Sequence, residues 1–210
     1  MSAQPSIQAT KVQVPNQLAS MSGALFTPPT PKHRDKHPAL VVVHPFGGVK
    51  EQTAGIYAGR MAEKGYVTLA FDASRQGESE GYPRDTENPA ERIEDIRCAV
   101  DYLTTLPMVD EDRIGLLGVC AGGSYVMAAA PTEMRAKAVA SVSLWDLRVT
   151  ARDGWPAPQY DRTSVLAEIG RQRTAEARGL TVRRHDGIPN DEAAVGQAVT
   201  KLDDFFRRNL

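Results

Sequence analysis

Cysteine is scarce in this chain. Its 210 residues hold two, Cys98 and Cys120, too few for a disulfide framework, and the compartment expected is the reducing cytoplasm. Neither sign of charge is in excess. Lys and Arg number 25 against 26 Asp and Glu, a formal net charge of −1. A polyanion binder needs clustered cations, so no nucleic-acid partner is expected. No apolar run approaches the roughly 18 residues of a membrane span. The opening Met1–Pro5 carries neither a basic nor an apolar stretch of a signal peptide, so no membrane association is expected. Gly 17 and Pro 14 are too few for a collagen-like or disordered chain. The patterns H-E-x-x-H, C-x-x-C and the phosphate-binding G-x-x-x-x-G-K-[ST] are missing, and so is an Asp cluster, so neither a metal nor a cofactor is implied.

What is present is an alternation of apolar runs. Lys11–Pro15 and Met21–Phe26 are short, with a turn-like Pro15-Asn16 step between them, and read as a hairpin. Ala39–Val43, Tyr66–Phe71, Arg113–Val119 and Ala136–Trp145 are continuous runs of the kind buried on both faces of a parallel sheet. Helical patterns separate them: Thr53–Lys64 closed by Gly65, a helix opened by Asn88-Pro89, and the small apolar stretch Ala121–Ala130. The order predicts an α/β fold, a mostly parallel sheet with helices on both faces and an antiparallel hairpin at its N-terminal side. Further on, Ser164–Arg178 is a charged helix with Val165, Leu166 and Ile169 expected inward. Asn190–Leu210 carries the stripe Val195, Ala198, Val199, Leu202, Phe205 and Phe206. The chain is expected to be one domain over 1–210.

The sharpest motif is Gly118-Val119-Cys120-Ala121-Gly122-Gly123. It follows a strand and opens a helix. A nucleophile raised on so tight a turn needs small residues two before and two after it. The helix N-terminus would stabilise a thiolate and offer the Ala121 N–H to an oxyanion. The second motif, His44-Pro45-Phe46-Gly47-Gly48, ends the first buried strand. Its Phe46 N–H is expected as the second oxyanion donor, and His44, Gly47 and Gly48 are expected at the bound substrate, the glycines letting the backbone approach the substrate oxygen.

Together these stretches resemble the α/β-hydrolases. The match is closest to the dienelactone-hydrolase and Xaa-Pro dipeptidyl-peptidase-like branch. HPFGGVKEQTAG, YVTLAFDAS with RQGESEG, NPAERIEDIRCAVDYL and GVCAGG carry it, over about Pro38–Ser143. RQRTAEARG, residues 171–179, resembles that branch's lid, so a lid-like insertion is expected over 151–180. The resemblance implies hydrolysis of a small ester, thioester or amide through a Cys-His-acid triad.

The chain departs from the family after Trp145. About 65 residues remain, too few for the usual lid, two further strands, an acid and a histidine. In one alignment His185 stands at a family-like distance before the final helix and is the base. In the other, 174–194 is lid sequence and His185 is incidental. Asp146, at the end of the fourth parallel strand, is the candidate acid, with a helix cap or loop role as its alternative; Asp186 adjoins His185 and is a poor orienter. Cys98 reads as a packing thiol, His33 and His37 as solvated, Asp72 as a holder of the Arg75–Gly77 loop, and Lys50-Glu51 as a surface pair. Two functions follow. One is a hydrolase acting on a small acyl substrate. The other is a non-catalytic binding protein that has lost its acid and base, whose shortened sheet would expose an edge and pair with another copy of the chain.

Overall fold

The computed structural model describes residues 7–17, 19–29, 36–153, 162–179, 202–203 and 205–210. Six strands form one sheet: β1 (Thr10–Val14), β2 (Met21–Phe26), β3 (His37–Val43), β4 (Val67–Phe71), β5 (Val109–Val119) and β6 (Ala136–Val142). Their spatial order is β1-β2-β4-β3-β5-β6. The expected hairpin is β1 against β2, antiparallel from Thr10↔Leu25 to Val14↔Met21, and β2 continues antiparallel to β4. β4, β3, β5 and β6 are mutually parallel, as the four buried runs predict. β5 starts earlier than its apolar run, because Val109 pairs with His37 across a bulge before the regular register resumes at Ala39↔Ile114.

The connections are α1 (Thr53–Ala62), α2 (Pro89–Thr104) and α3 (Ala121–Ala129). Gly65, with φ +102°, follows α1 where a left-handed residue ends a helix. Asn88 caps α2, its side chain accepting the Ala90 N–H at 3.1 Å, with Pro89 at the first helical position. The chain winds from β3 out to β4, then back across β3 to β5. The strand order therefore reverses between β3 and β5, and all four parallel strands end at one edge. In open α/β sheets the crevice at that edge and that reversal is where ligands bind.

The buried runs supply the core. Leu40, Val42, Ala54, Tyr57, Ala58, Met61 and Phe206 belong to one cluster. Residues 205–209 are helical, and Phe206 is fully buried with its ring edge-on to Tyr66 at 6.2 Å. Leu202 and Phe206 thus lie inward as the stripe predicts, while Val195, Ala198 and Val199 fall outside the described residues.

Two compact units divide the chain, Met1–Trp145 with Gly187–Leu210, and Asp146–Asp186. The second holds α4 (Leu147–Asp153) and α5 (Arg162–Ala177). The inward expectation for α5 is corrected: Leu166 and Ile169 are 56 % and 50 % exposed. At helical spacing after Ile169 the sequence places Gln172, Arg173 and Glu176, so the helix has no continuous apolar stripe to bury. Among the described residues, no helix is long and apolar enough to cross a membrane.

Candidate active site

Cys120 directly follows the last residue of β5, with φ +54° and ψ −118°. L side chains rarely adopt this conformation, which costs about 1–3 kcal/mol and persists only where the surroundings over-determine it. Here they do. The Cys120 N–H donates to Val142 O at 3.0 Å, and its carbonyl accepts from Gly123 N at 3.0 Å and Trp145 N at 3.1 Å. The flanking glycines are demanded by contact. A β-carbon at Gly118 would collide with Gly122 O, and one at Gly122 with Val43 O and His44 O. The elbow is therefore closed from both sides, and the thiol stands half-buried at the C-terminal edge of the sheet.

The loop after β3 lies against this turn through that Gly122 contact. It turns sharply at Pro45–Gly48, the Gly48 N–H donating to Pro45 O at 3.0 Å with Gly47 at φ +64°. The Phe46 ring packs edge-on to Trp145, centroids 6.1 Å apart. His44 was expected at the substrate, but its side chain is fully buried. Its Nδ1 lies 2.7 Å from Pro45 O, an atom that only accepts, so Nδ1 carries the proton. Nε2 accepts from Arg92 Nη1 at 2.6 Å and from the Ala73 N–H at 3.3 Å. Burial first, and then the Arg92 charge, hold the imidazole pKa well below 6.5. His44 is a neutral internal strut of the loop.

Burial pushes the Cys120 thiol above its ordinary pKa, and the Ala121 N–H beside it pulls part of the way back. The resting group at neutral pH is therefore a thiol. Cys98, more deeply buried and near Glu94, Asp101 and Asp95, is pushed up to about 11.

Residues 21–143 match the dienelactone hydrolase family. The chain belongs to that family. An uncharacterized protein of Escherichia coli strain K12, YcjY, is 50 % identical over 140 residues, covering 67 % of this chain and 46 % of that protein. The thiohydrolase aneE of Aspergillus aculeatus is 39 % identical over 152 residues, 72 % of this chain and 46 % of that protein. The crystal structure of hypothetical protein PA2218 from Pseudomonas aeruginosa superposes with TM-score 0.80 at 34 % identity, covering 98 % of this chain and 64 % of that one. The chain spans about half the length of the curated relatives it matches, and its architecture is that of the α/β-hydrolases.

Within this dienelactone hydrolase-family chain, the remaining predicted residues are placed as follows. Asp146 stands at the start of α4, where Oδ1 accepts the N–H groups of Arg148 at 2.9 Å and Val149 at 3.2 Å. These bonds lower its pKa, led by that from Val149, so it is a carboxylate at neutral pH. His185 lies outside the described residues, as do Asp186 and His33. His37 is the first residue of β3 rather than part of a solvated loop, its Nδ1 donating to Gly65 O at 3.2 Å, at the strand end opposite Cys120.

The anchoring of the loops was only partly foreseen. Asp72 directly follows β4 and is fully buried. Its Oδ1 accepts the Lys50 N–H at 2.7 Å, and its Oδ2 accepts Lys50 Nζ at 2.7 Å and the Glu78 N–H at 2.9 Å. Asp72 thus holds the polar loop, as expected. Lys50 is not a surface residue but a buried cation shared by Asp72, Glu78 and Glu51. Those three partners hold its pKa above the usual range against the pull of burial, and Lys50 and Lys11 hold Glu78 down to about 2.

Arg92 and Asp95 escaped the sequence reading, although both are buried. Asp95 ties α2 to the β4 loop, accepting the Ser74 N–H at 2.8 Å and Ser74 Oγ at 2.6 Å. A signal existed. Arg92 is four residues before Ile96, on the inward stripe Ile96, Ala99, Val100 and Leu103, where a solvated helix face would not put a charge. A cavity of about 580 Å³ lies elsewhere, lined by Lys11, Gly23, Phe26, Lys50 and Ile56 among others, without Cys120. Among the described residues, no group of three His, Cys, Asp or Glu side chains could hold a metal ion.

Proposed function

We propose that this chain is a hydrolase that cleaves a small ester, thioester or amide through Cys120. The observation that carries the reading is the backbone of Cys120, held at φ +54° by three hydrogen bonds at the C-terminal end of β5. Strain of this kind persists where a side chain must be presented. A merely packed cysteine gains nothing from it. The resemblance to aneE, a thiohydrolase, supports a thioester among the substrates.

In this reading the Cys120 sulfur attacks the acyl carbon and the carbonyl electron pair moves to oxygen. The backbone N–H groups of Phe46 and Ala121 receive that oxyanion, and Gly47 and Gly48 leave room for the substrate beside them. Collapse expels the alcohol, thiol or amine, and water then releases the acid. Because the thiol rests protonated, a base is required. His44 is committed to Arg92 and Pro45, and His37 to Gly65 at the other end of β3. The base in this reading is His185, with Asp146, a carboxylate at neutral pH, as its acid partner.

The test is turnover of p-nitrophenyl acetate and of a short acyl thioester by the full chain. Cys120→Ala and His185→Ala are expected to lose hydrolysis to a similar extent, since members of one catalytic unit are not additive. Asp146→Asn is expected to lose less. Undiminished turnover in Cys120→Ala defeats the reading. Wild-type turnover at the buffer rate favours the non-catalytic alternative.

A further inference from the structure

Arg92 is 2 % exposed on the first turns of α2. A guanidinium cannot shed its proton, and burying it is costly unless its donors are used. Two of them converge on one residue: Nη1 donates to His44 Nε2 at 2.6 Å, and Nη2 to the His44 carbonyl at 3.1 Å. Side chain and main chain of the residue that opens the glycine loop are thus gripped together. The same guanidinium lies over the Tyr125 ring, 4.9 Å from its centroid, and Tyr125 is on α3, the helix that Cys120 opens. Glu87 stands 3.5 Å away as counter-charge. The His44 carbonyl that Arg92 holds is also one of the two that Gly122 packs against. One buried cation therefore ties the loop after β3 to the helix after β5.

We propose that Arg92 is a positioning residue for the oxyanion site, holding the His44–Gly48 loop against the elbow so that the Phe46 and Ala121 amides share one target. This rests on the reading of Cys120 as nucleophile. Arg92 reaches the reacting atoms only through His44 and Tyr125. Neutral His44 is part of the device, because an Nε2 that accepts from Arg92 cannot carry a proton. Lys in place of Arg keeps a charge beside Glu87 but lacks the fork that grips two atoms of His44.

Two reactions of the same sulfur separate this role from simple support of the fold. Acylation by p-nitrophenyl acetate forms the sulfur–carbon bond, sends the carbonyl electron pair to oxygen, and then expels p-nitrophenolate with its electron pair, the thiol proton going to the base. It passes through an oxyanion. Alkylation by iodoacetamide forms a sulfur–carbon bond at a saturated carbon and expels iodide, and it needs no oxyanion. Both rates are measured at Cys120 by intact-protein mass in wild type, Arg92→Met, Arg92→Lys and Cys120→Ala. Arg92→Met is expected to acylate about 100-fold more slowly, the scale of one lost oxyanion donor, with its alkylation rate unchanged, and Arg92→Lys to fall between it and wild type. If Arg92→Met does not fold, Arg92→Lys decides by the same criterion. Wild-type acylation in the variants, or parallel loss of acylation and alkylation, overturns the proposal. Acylation that survives in Cys120→Ala, or fails in wild type, instead defeats the nucleophile reading beneath it.

Discussion

Gly122 sits against the carbonyl oxygen of Val43 so closely that a single added methyl group would collide with it and with His44 O. This contact joins the end of β3 to the turn that carries Cys120. Both partners are backbone, so neither can swing aside as a flexible side chain would. The separation of the glycine loop from the elbow is therefore set by the main chain.

Gly122→Ala is accordingly expected to force the loops apart. Overpacking of this kind costs typically about 1–3 kcal/mol, read as a lower urea midpoint. Hydrolytic turnover should fall further than stability explains, since the displaced loop carries the Phe46 amide. An alanine variant as stable and as active as wild type would show that the contact constrains nothing.

His44 makes stability depend on pH in a definite direction. Its folded pKa is depressed by burial and by Arg92. Below about 6.5 the unfolded chain binds a proton that the folded chain does not, so stability falls as pH falls, by up to about 1.4 kcal/mol per pH unit for this one group. Above that value the contribution is fully present. Denaturant melts of wild type and His44→Gln between pH 7 and pH 5 isolate it, because the carboxylates are common to both. The wild type should lose stability more steeply on acidification, and parallel profiles would mean that His44 titrates normally.

The two thiols should react differently. Cys98 is buried and pushed up to about 11, whereas Cys120 is half-buried with an N–H directed at it. Iodoacetamide at pH 7.5 to 8.5, a range about the ordinary cysteine pKa, should label Cys120 first, at a rate that rises with pH because its resting form is the thiol. Peptide mapping that finds Cys98 modified first in folded protein would contradict both the burial and the elbow.

Phe206 and Gly115 form a matched pair. A β-carbon at Gly115 would come within 2.8 Å of Phe206 Cε1 and 2.9 Å of Leu40 Cδ2. Phe206→Ala should cost about 3–5 kcal/mol as a cavity under the final helix. Gly115→Ala alone should also destabilise, but less so in the Phe206→Ala background, where the space is open. A double-mutant cycle in urea measures the coupling, and strict additivity would place the final helix elsewhere.

Much of this molecule could be read without coordinates, because its signals are local. The four parallel strands are runs of adjacent apolar residues, and the elbow is six consecutive residues whose spacing states its own steric demand. Asn88-Pro89 marks a helix start for equally local reasons. The edges were less legible: β5 begins at Val109 because His37 pairs there, a fact about the neighbouring strand rather than about the charged residues 110–113. What only the tertiary structure decided is who faces whom. α2 crosses back over β3 to reach β5, and that crossover alone brings Arg92 to His44, 48 positions earlier. The return of β4 beside β3 likewise turns Lys50 from an ordinary-looking surface charge into the buried partner of Asp72. A charge on an apolar stripe hints at a buried partner, but the partner's identity is a property of winding, and winding is not written in any window of neighbouring residues.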